Sequence, residues 1–181
     1  MLKKITYSLA GIFVLVIVLG LVMPSNYAVS RSITINSPVK EIHSFINDLE
    51  QWPKWAPWQD QEKEVDIDLG DISAGVGATQ KWIGHDGKGS LEITHSSPTS
   101  GIQYLLRFGN DKEDTKGEFA YQTNGNQTTV SWTMSGEMTM PIIGPYAVLI
   151  MDTMAGPMFE KGLEKLKNVV EGKVVEKPVN K

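Results

Sequence analysis

The sequence predicts an α+β domain in which a seven-stranded antiparallel sheet is covered by one long C-terminal helix with a kink-prone Gly156-Pro157 pair inside it. One N-terminal transmembrane helix precedes it. Three observations predict this. Short alternating apolar/polar segments recur between turn residues over 27–136. A broad apolar stripe at helical spacing runs over 143–171. The segment Ile5–Met23 has fifteen apolar residues in 19 positions and no charge.

That segment, ITYSLAGIFVLVIVLGLVM, follows Met1-Leu-Lys-Lys and ends before Pro24. At ~1.5 Å per residue it spans roughly 28 Å, the apolar thickness of a bilayer. A secretory signal has a shorter apolar run and small residues before its cut. The nearest cut, after Ala28, would place Asn26 three positions back, which fits poorly. Residues 1–24 are therefore expected to be an uncleaved membrane anchor, with a cleaved signal as the alternative. A buried core helix would need a polar face, which the run lacks. Lys3 and Lys4 precede the run, which favours a cytoplasmic N-terminus and a single-pass protein with its domain on the periplasmic side or cell exterior. A tether over 25–30 holds the domain near the bilayer, since 24–30 reach at most about 25 Å.

The domain spans 27–171. Tyr27–Asn36 alternates as a strand, with Val29, Arg31, Ile33 and Ile35 on one face. Ser37-Pro38 puts a capping residue before a first-turn proline, and apolar spacing predicts a helix over 38–50. A proline- and tryptophan-rich segment, Trp52–Trp58, follows. Strands are predicted near 64–70, 76–84, 88–96, 101–109, 116–123 and 127–136. The connectors are turn chemistries, among them His85-Asp86-Gly87 and Asn124-Gly125-Asn126, so the strands form a meander. The helix over 143–171 carries Ala147, Ile150, Met151, Met154, Met158, Leu163, Leu166 and Val170 on its stripe. Gly156-Pro157 inside it predicts a kink or a break. The tail 172–181 is polar.

Charge narrows the function. The chain is −4 overall. Residues 25–181 keep all 21 acidic but only 15 of the 17 basic residues, so the domain alone is −6. That argues against nucleic acid as a partner and against electrostatic attraction to anionic lipid. The absence of cysteine excludes thiol and disulfide chemistry.

The strings RSITINSPVKEI, DLEQWPKWAPW, SAGVGATQKW, VSWTMSGE and FEKGLEKLK occur in this order. Together they resemble the polyketide cyclase/dehydrase-like branch of the START/SRPBCC superfamily, over about residues 27–170. The resemblance implies a helix-grip fold with a hydrophobic ligand cavity under the C-terminal helix, in a superfamily ranging from lipid carriers to cyclases. It supplies no shared catalytic set to carry over. Pro157 departs from the smooth helix of that pattern.

No motif asks for a metal or a cofactor. His43, His85 and His95 are isolated and lack ligand spacing, so each reads as a surface or rim histidine. There is no GxSxG nucleophile elbow. Gly75-Val76-Gly77-Ala78 precedes a strand, so it reads as turn glycine and not as a phosphate loop. Two carboxylates are candidates for catalysis. Asp152 lies in the apolar stretch of the last helix, and Glu137 closes the last strand. Facing an apolar cavity, either would have a raised pKa suited to proton transfer. The alternative for Asp152 is solvent or a nearby backbone group.

The candidate ligand-binding residues are Trp55, Trp58, Trp82, Tyr104, Trp132, Met134, Met151 and Met154, with ordinary core packing as the competing role for the tryptophans. Trp52–Trp58 is a further candidate for the rim of the pocket mouth at the bilayer, where tryptophan is favoured. The leading function is a membrane-anchored protein that binds a hydrophobic small molecule or lipid, with the membrane engaged through residues 5–23. The alternatives are a cyclase- or dehydratase-like enzyme using one carboxylate, and an envelope protein-interaction module without ligand. A cavity below the usual range of about 300–1,000 Å³ would favour the last.

Overall fold

In the computed structural model, which describes residues 2–60, 65–84, 87–109 and 114–172, the alternating segments pair into one sheet. Its seven strands are β1 (Asn26–Ile35), β2 (Asp66–Leu69), β3 (Thr79–Gly84), β4 (Gly87–Ser97), β5 (Gly101–Phe108), β6 (Thr115–Asn124) and β7 (Gln127–Glu137). Every neighbouring pair is antiparallel, in the order β1-β7-β6-β5-β4-β3-β2. β2 to β7 form the meander that the turn residues predict. β1 joins at the far edge by pairing with β7, Val29 opposite Met134 and Ile33 opposite Val130.

Three boundaries differ from the sequence reading. The strand expected from residue 76 begins at Thr79, because Gly75 and Gly77 take φ of 80° and 85°, a left-handed conformation that ends extended pairing. The helix expected over 38–50 is α2 (Val39–Ile46). It stops because Asn47–Leu49 bond instead to 73–75: Leu49 N–H donates to Ser73 at 2.8 Å and Gly75 N–H to Asn47 at 3.1 Å. Asp48 then accepts from the Glu50 N–H and caps a separate 3₁₀ turn, Leu49–Lys54. The tether expected over 25–30 is shorter, since Asn26 already pairs with Glu137. The tail beyond Gly172, the segment 110–113 and His85 lie outside the described residues.

α1 (Leu2–Val22) is long and apolar enough over Lys4–Val22 to cross a membrane, a description that a signal sequence also meets. α3 (Gly144–Val170) crosses the concave face of the sheet. It runs through Pro157 without dividing into two helices. Pro157 is exposed, so the Thr153 carbonyl that it leaves without a donor lies on the solvent side and can bond to water. The burial of α3 is uneven. From Ala155 onward, Phe159, Leu163 and Leu166 are buried, whereas Leu149, Ile150 and Met154 are exposed. The predicted apolar stripe therefore packs on the core mainly in its second half, with Met151 the first-half residue that also reaches it.

The core lies between that half and the sheet. Its largest fully buried side chains are Trp52, Trp55, Trp132 and Phe119. Trp52 and Trp55 donate their indole N–H groups to the carbonyls of Ile46 (2.9 Å) and Phe45 (3.1 Å), satisfying the open end of α2. Trp52 and Trp55 thus plug the interior, whereas Trp58 is half-buried.

Candidate functional site

A cavity of about 270 Å³ remains between the concave face and α3. Its position follows from strand alternation: Gln80 and Trp82 on β3, Leu91 on β4, Tyr104 and Leu106 on β5, and Trp132 and Met134 on β7 all face inward. Ala155, Met158 and Phe159 close it from α3, and Trp52 and Trp58 from the 3₁₀ segment. None of its lining residues is charged.

Aromatic rings form the walls. Phe159 stacks on Trp132 with centroids 4.3 Å apart at 3°, and Trp132 stacks on Phe119 at 4.8 Å. Trp52 meets Tyr104 edge-on at 5.8 Å. Glycines opposite the rings make the room. A Cβ at Gly117 would lie 2.0 Å from the Tyr104 ring, and one at Gly89 would lie 2.1 Å from the Trp82 ring. On the helix, a Cβ at Gly162 would sit 2.8 Å from Trp132.

Two polar groups interrupt this lining. The Tyr104 hydroxyl accepts from Trp132 Nε1–H at 2.7 Å. Burial pushes the phenol well above its ordinary pKa, so it keeps its proton. Among the described residues that O–H has no acceptor. Gln80 is 5 % exposed, faces the cavity, and has no side-chain hydrogen-bond partner among the described residues. Its register neighbours are Leu69 and Leu91. Gln80 lies opposite Leu91, which lies opposite Leu106, two residues from Tyr104. Strand spacing then separates the Gln80 and Tyr104 Cα atoms by about 12 Å.

Trp82 and the exposed Phe108 line the cavity in edge contact at 5.9 Å. Both lie opposite Gly89. The register runs from there through Leu106–Thr115 and Lys116–Ser135 to Glu137–Asn26. This partly exposed stretch of the lining is therefore at the end of the sheet where α1 joins β1.

Of the residues named from the sequence, Trp58, Trp82, Tyr104, Trp132 and Met134 line the cavity. Trp55 does not: it is fully buried behind, edge-on to Phe119 at 5.8 Å and to Trp132 at 5.9 Å. Met151 packs against the core outside the cavity, and Met154 points to the exterior. The sequence reading missed Gln80 and Phe159. Gln80 shares strand parity with Trp82, which was the available signal.

Neither candidate carboxylate reaches the cavity. Asp152 makes a two-pronged bond with Arg31, Nη1 to Oδ1 at 2.8 Å and Nη2 to Oδ2 at 3.0 Å, on the exposed side of α3. That bond holds its pKa below the usual carboxylate value, opposite to the rise expected in an apolar cavity. Arg31 also donates from Nε to Glu160 at 2.7 Å. Its guanidinium lies over Gly156, where a Cβ would come within 2.0 Å, so the trio clamps α3 onto β1. Glu137 is exposed and accepts from Ser25 Oγ at 2.8 Å. His95 is exposed. His43 is more enclosed than a surface residue, with Nδ1 3.1 Å from Tyr121 Oη and Nε2 3.4 Å from Ser96 Oγ.

A family model described as polyketide cyclase/dehydrase and lipid transport matches residues 27–171. No curated protein matches by sequence. Among solved structures, a protein from Staphylococcus epidermidis is similar at TM-score 0.60 and 14% identity, covering 87% of this chain and 96% of its own. A protein from Chromobacterium violaceum gives 0.58 and 13%, with coverages of 80% and 96%. The Aha1 dimer from Colwellia psychrerythraea gives 0.56 and 21%, with coverages of 81% and 97%. At these identities the structural likeness carries the fold alone.

Proposed function

We propose a function from one premise: the chain belongs to the polyketide cyclase/dehydrase and lipid transport family. The domain is a binding module that holds one uncharged, apolar small molecule between sheet and helix. α1 anchors it in a membrane with the domain on the outer face.

One observation carries this reading: an uncharged aromatic cavity of about 270 Å³ whose lining includes two polar side chains, Gln80 and Tyr104. A ligand donor or acceptor reaching either group would form a hydrogen bond inside an otherwise apolar lining. The volume, about 270 Å³, is just under the ~300–1,000 Å³ of drug-sized sites, which by itself counts toward the interaction-module reading. Two arguments outweigh it. A cavity of about 150 Å³ already accepts benzene. At ~24 cal/mol per Å³, an empty enclosed cavity of this size would cost about 6 kcal/mol, an upper figure because this one opens at its mouth. The size favours a ligand of one or two rings, or a segment of an acyl chain, over a whole two-chain lipid. The exposed Phe108 part of the lining lies at the α1 end of the sheet, which supports exchange with the bilayer. The cyclase-like alternative loses the two carboxylates on which it rested, since both lie outside the cavity.

Native mass spectrometry of the full chain extracted from its own membrane tests the proposal. The expected spectrum contains an added small-molecule mass that disappears in Ala155→Phe, which fills the cavity from α3. A wild-type spectrum at the bare protein mass would count for the interaction module.

A further inference from the structure

The first turns of α3 and the loop before them resemble no surface that water should cover. Met138–Met151, MTMPIIGPYAVLIM, is fourteen residues without a charge. Within it Met140, Ile143, Leu149 and Ile150 are each more than half exposed, and Met154 follows at 66%. An exposed apolar cluster of this kind marks an interaction site.

Its neighbour indicates the occupant. Tyr146 donates its hydroxyl to the Val16 carbonyl at 2.6 Å, in the middle of the apolar helix α1. The Ile142 carbonyl presses on Gly20, where a Cβ would come within 2.5 Å. Ile142 adopts φ 65°, which a β-branched side chain strongly resists. A strained turn and a glycine thus bring the loop against α1, and the two apolar surfaces are continuous. Val16 lies six residues before Val22, about 9 Å along the helix. From Tyr146, α3 needs the same six residues, again about 9 Å, to reach Asp152. Asp152 is the first charge after the run, and it pairs with Arg31. The uncharged run is thus ended by Asp152, six residues beyond its contact with α1.

We propose that residues 138–150 are a second membrane-inserted element, a wedge whose Ile143, Leu149 and Ile150 side chains lie among lipid acyl chains beside α1. The domain is then held to the bilayer at two points and cannot swing freely about the short Met23–Ser25 link. The inference rests on the reading of α1 as a membrane span.

The natural chain has no cysteine, so single sites can be labelled with an environment-sensitive fluorophore. Leu149→Cys, Phe13→Cys and Ser32→Cys full-length proteins are reconstituted in phosphatidylcholine vesicles with and without nitroxide on the acyl chains. The expected result is loss of fluorescence at Leu149 comparable to that at Phe13 in α1, with Ser32 on the exposed face of β1 unaffected. Quenching at Phe13 without quenching at Leu149 overturns the wedge and leaves the anchor standing. Absence of quenching at both sites overturns the anchor and the wedge with it. A Leu149→Cys protein that is unquenched and instead forms a disulfide-linked dimer assigns the surface to a second copy of the chain. Ile150→Cys repeats the readout independently, should the first variant fold poorly.

Discussion

Replacing Gln80 by leucine should stabilise the ligand-free protein, the reverse of what a buried polar substitution usually does. The side chain is 5 % exposed, between Leu69 and Leu91, and its amide has no hydrogen-bond partner among the described residues. The amide keeps some access to the cavity, so folding removes only part of its hydration, against about 1–3 kcal/mol for a sealed amide without a bond. The group faces a cavity with an open mouth, so the lower part of that range applies, about 1–2 kcal/mol. Leucine fills a similar volume without the penalty. For a domain of this size each kcal/mol moves Tm by about 2–4 °C, which predicts a rise of about 2–8 °C. Tyr104→Phe should move the other way. It removes the acceptor of the Trp132 indole N–H, which is 1% exposed, and should destabilise by about 1–3 kcal/mol. Near-UV circular dichroism of the full chain in detergent follows both melts through the buried tryptophans. A Gln80→Leu melt below wild type would falsify the reasoning, because it would mean that the amide is hydrated or bonded in the folded state. The same variant should bind the cavity's ligand more weakly, separating a residue kept for binding from one kept for stability.

Phe159→Ala removes a ring that is 4% exposed and stacked at 4.3 Å on Trp132, and should cost about 3–5 kcal/mol in urea unfolding; a cost below about 1 kcal/mol would mean that the helix closes over the gap. The Arg31–Asp152 bond lowers the Asp152 pKa in the folded state, so its contribution is complete above the free carboxylate value near 4 and is lost as pH falls through the lower folded value. Arg31→Ala should remove that component of the acid-unfolding profile. Burial lowers the His43 pKa, so the unfolded chain takes up its proton first and stability falls from about pH 6.5 downward until the folded value is reached. His43→Gln should flatten the urea midpoint across that interval, and an unchanged slope would exclude His43 as its source.

Strand parity and helical spacing made most of the fold legible. Alternation located β1 and β4 to β7 within a residue or two, because one face of each is buried and the other is not. The end of α2 was not legible, since it depends on Asn47–Leu49 bonding to 73–75, a local competition decided by distant chain. Pro157 suggested a break that its solvent-facing position makes unnecessary. In the site, Trp82, Tyr104, Trp132 and Met134 were found because aromatic and apolar residues at inward positions must line whatever lies under the helix. Gln80 was passed over because a glutamine in a strand ordinarily faces water. Met154 was included because the α3 stripe is continuous in sequence, although mainly its second half meets the core.

The sequence by itself determined the elements, their antiparallel succession and the separation of an apolar helix from an acidic domain, all of which follow from nearest-neighbour periodicity and composition. Only the tertiary structure decided what faces what. Asp152 is partnered by Arg31, 121 residues away, and not by a cavity. Most of the first half of the α3 stripe lies against α1 or open to its surroundings, while the second half roofs a space that the side chains beneath it do not fill. Periodicity specifies that a face is apolar. Whether that face meets protein, bilayer or an empty cavity depends on how the sheet curves under the helix, and that curvature is set by contacts between residues far apart in the chain.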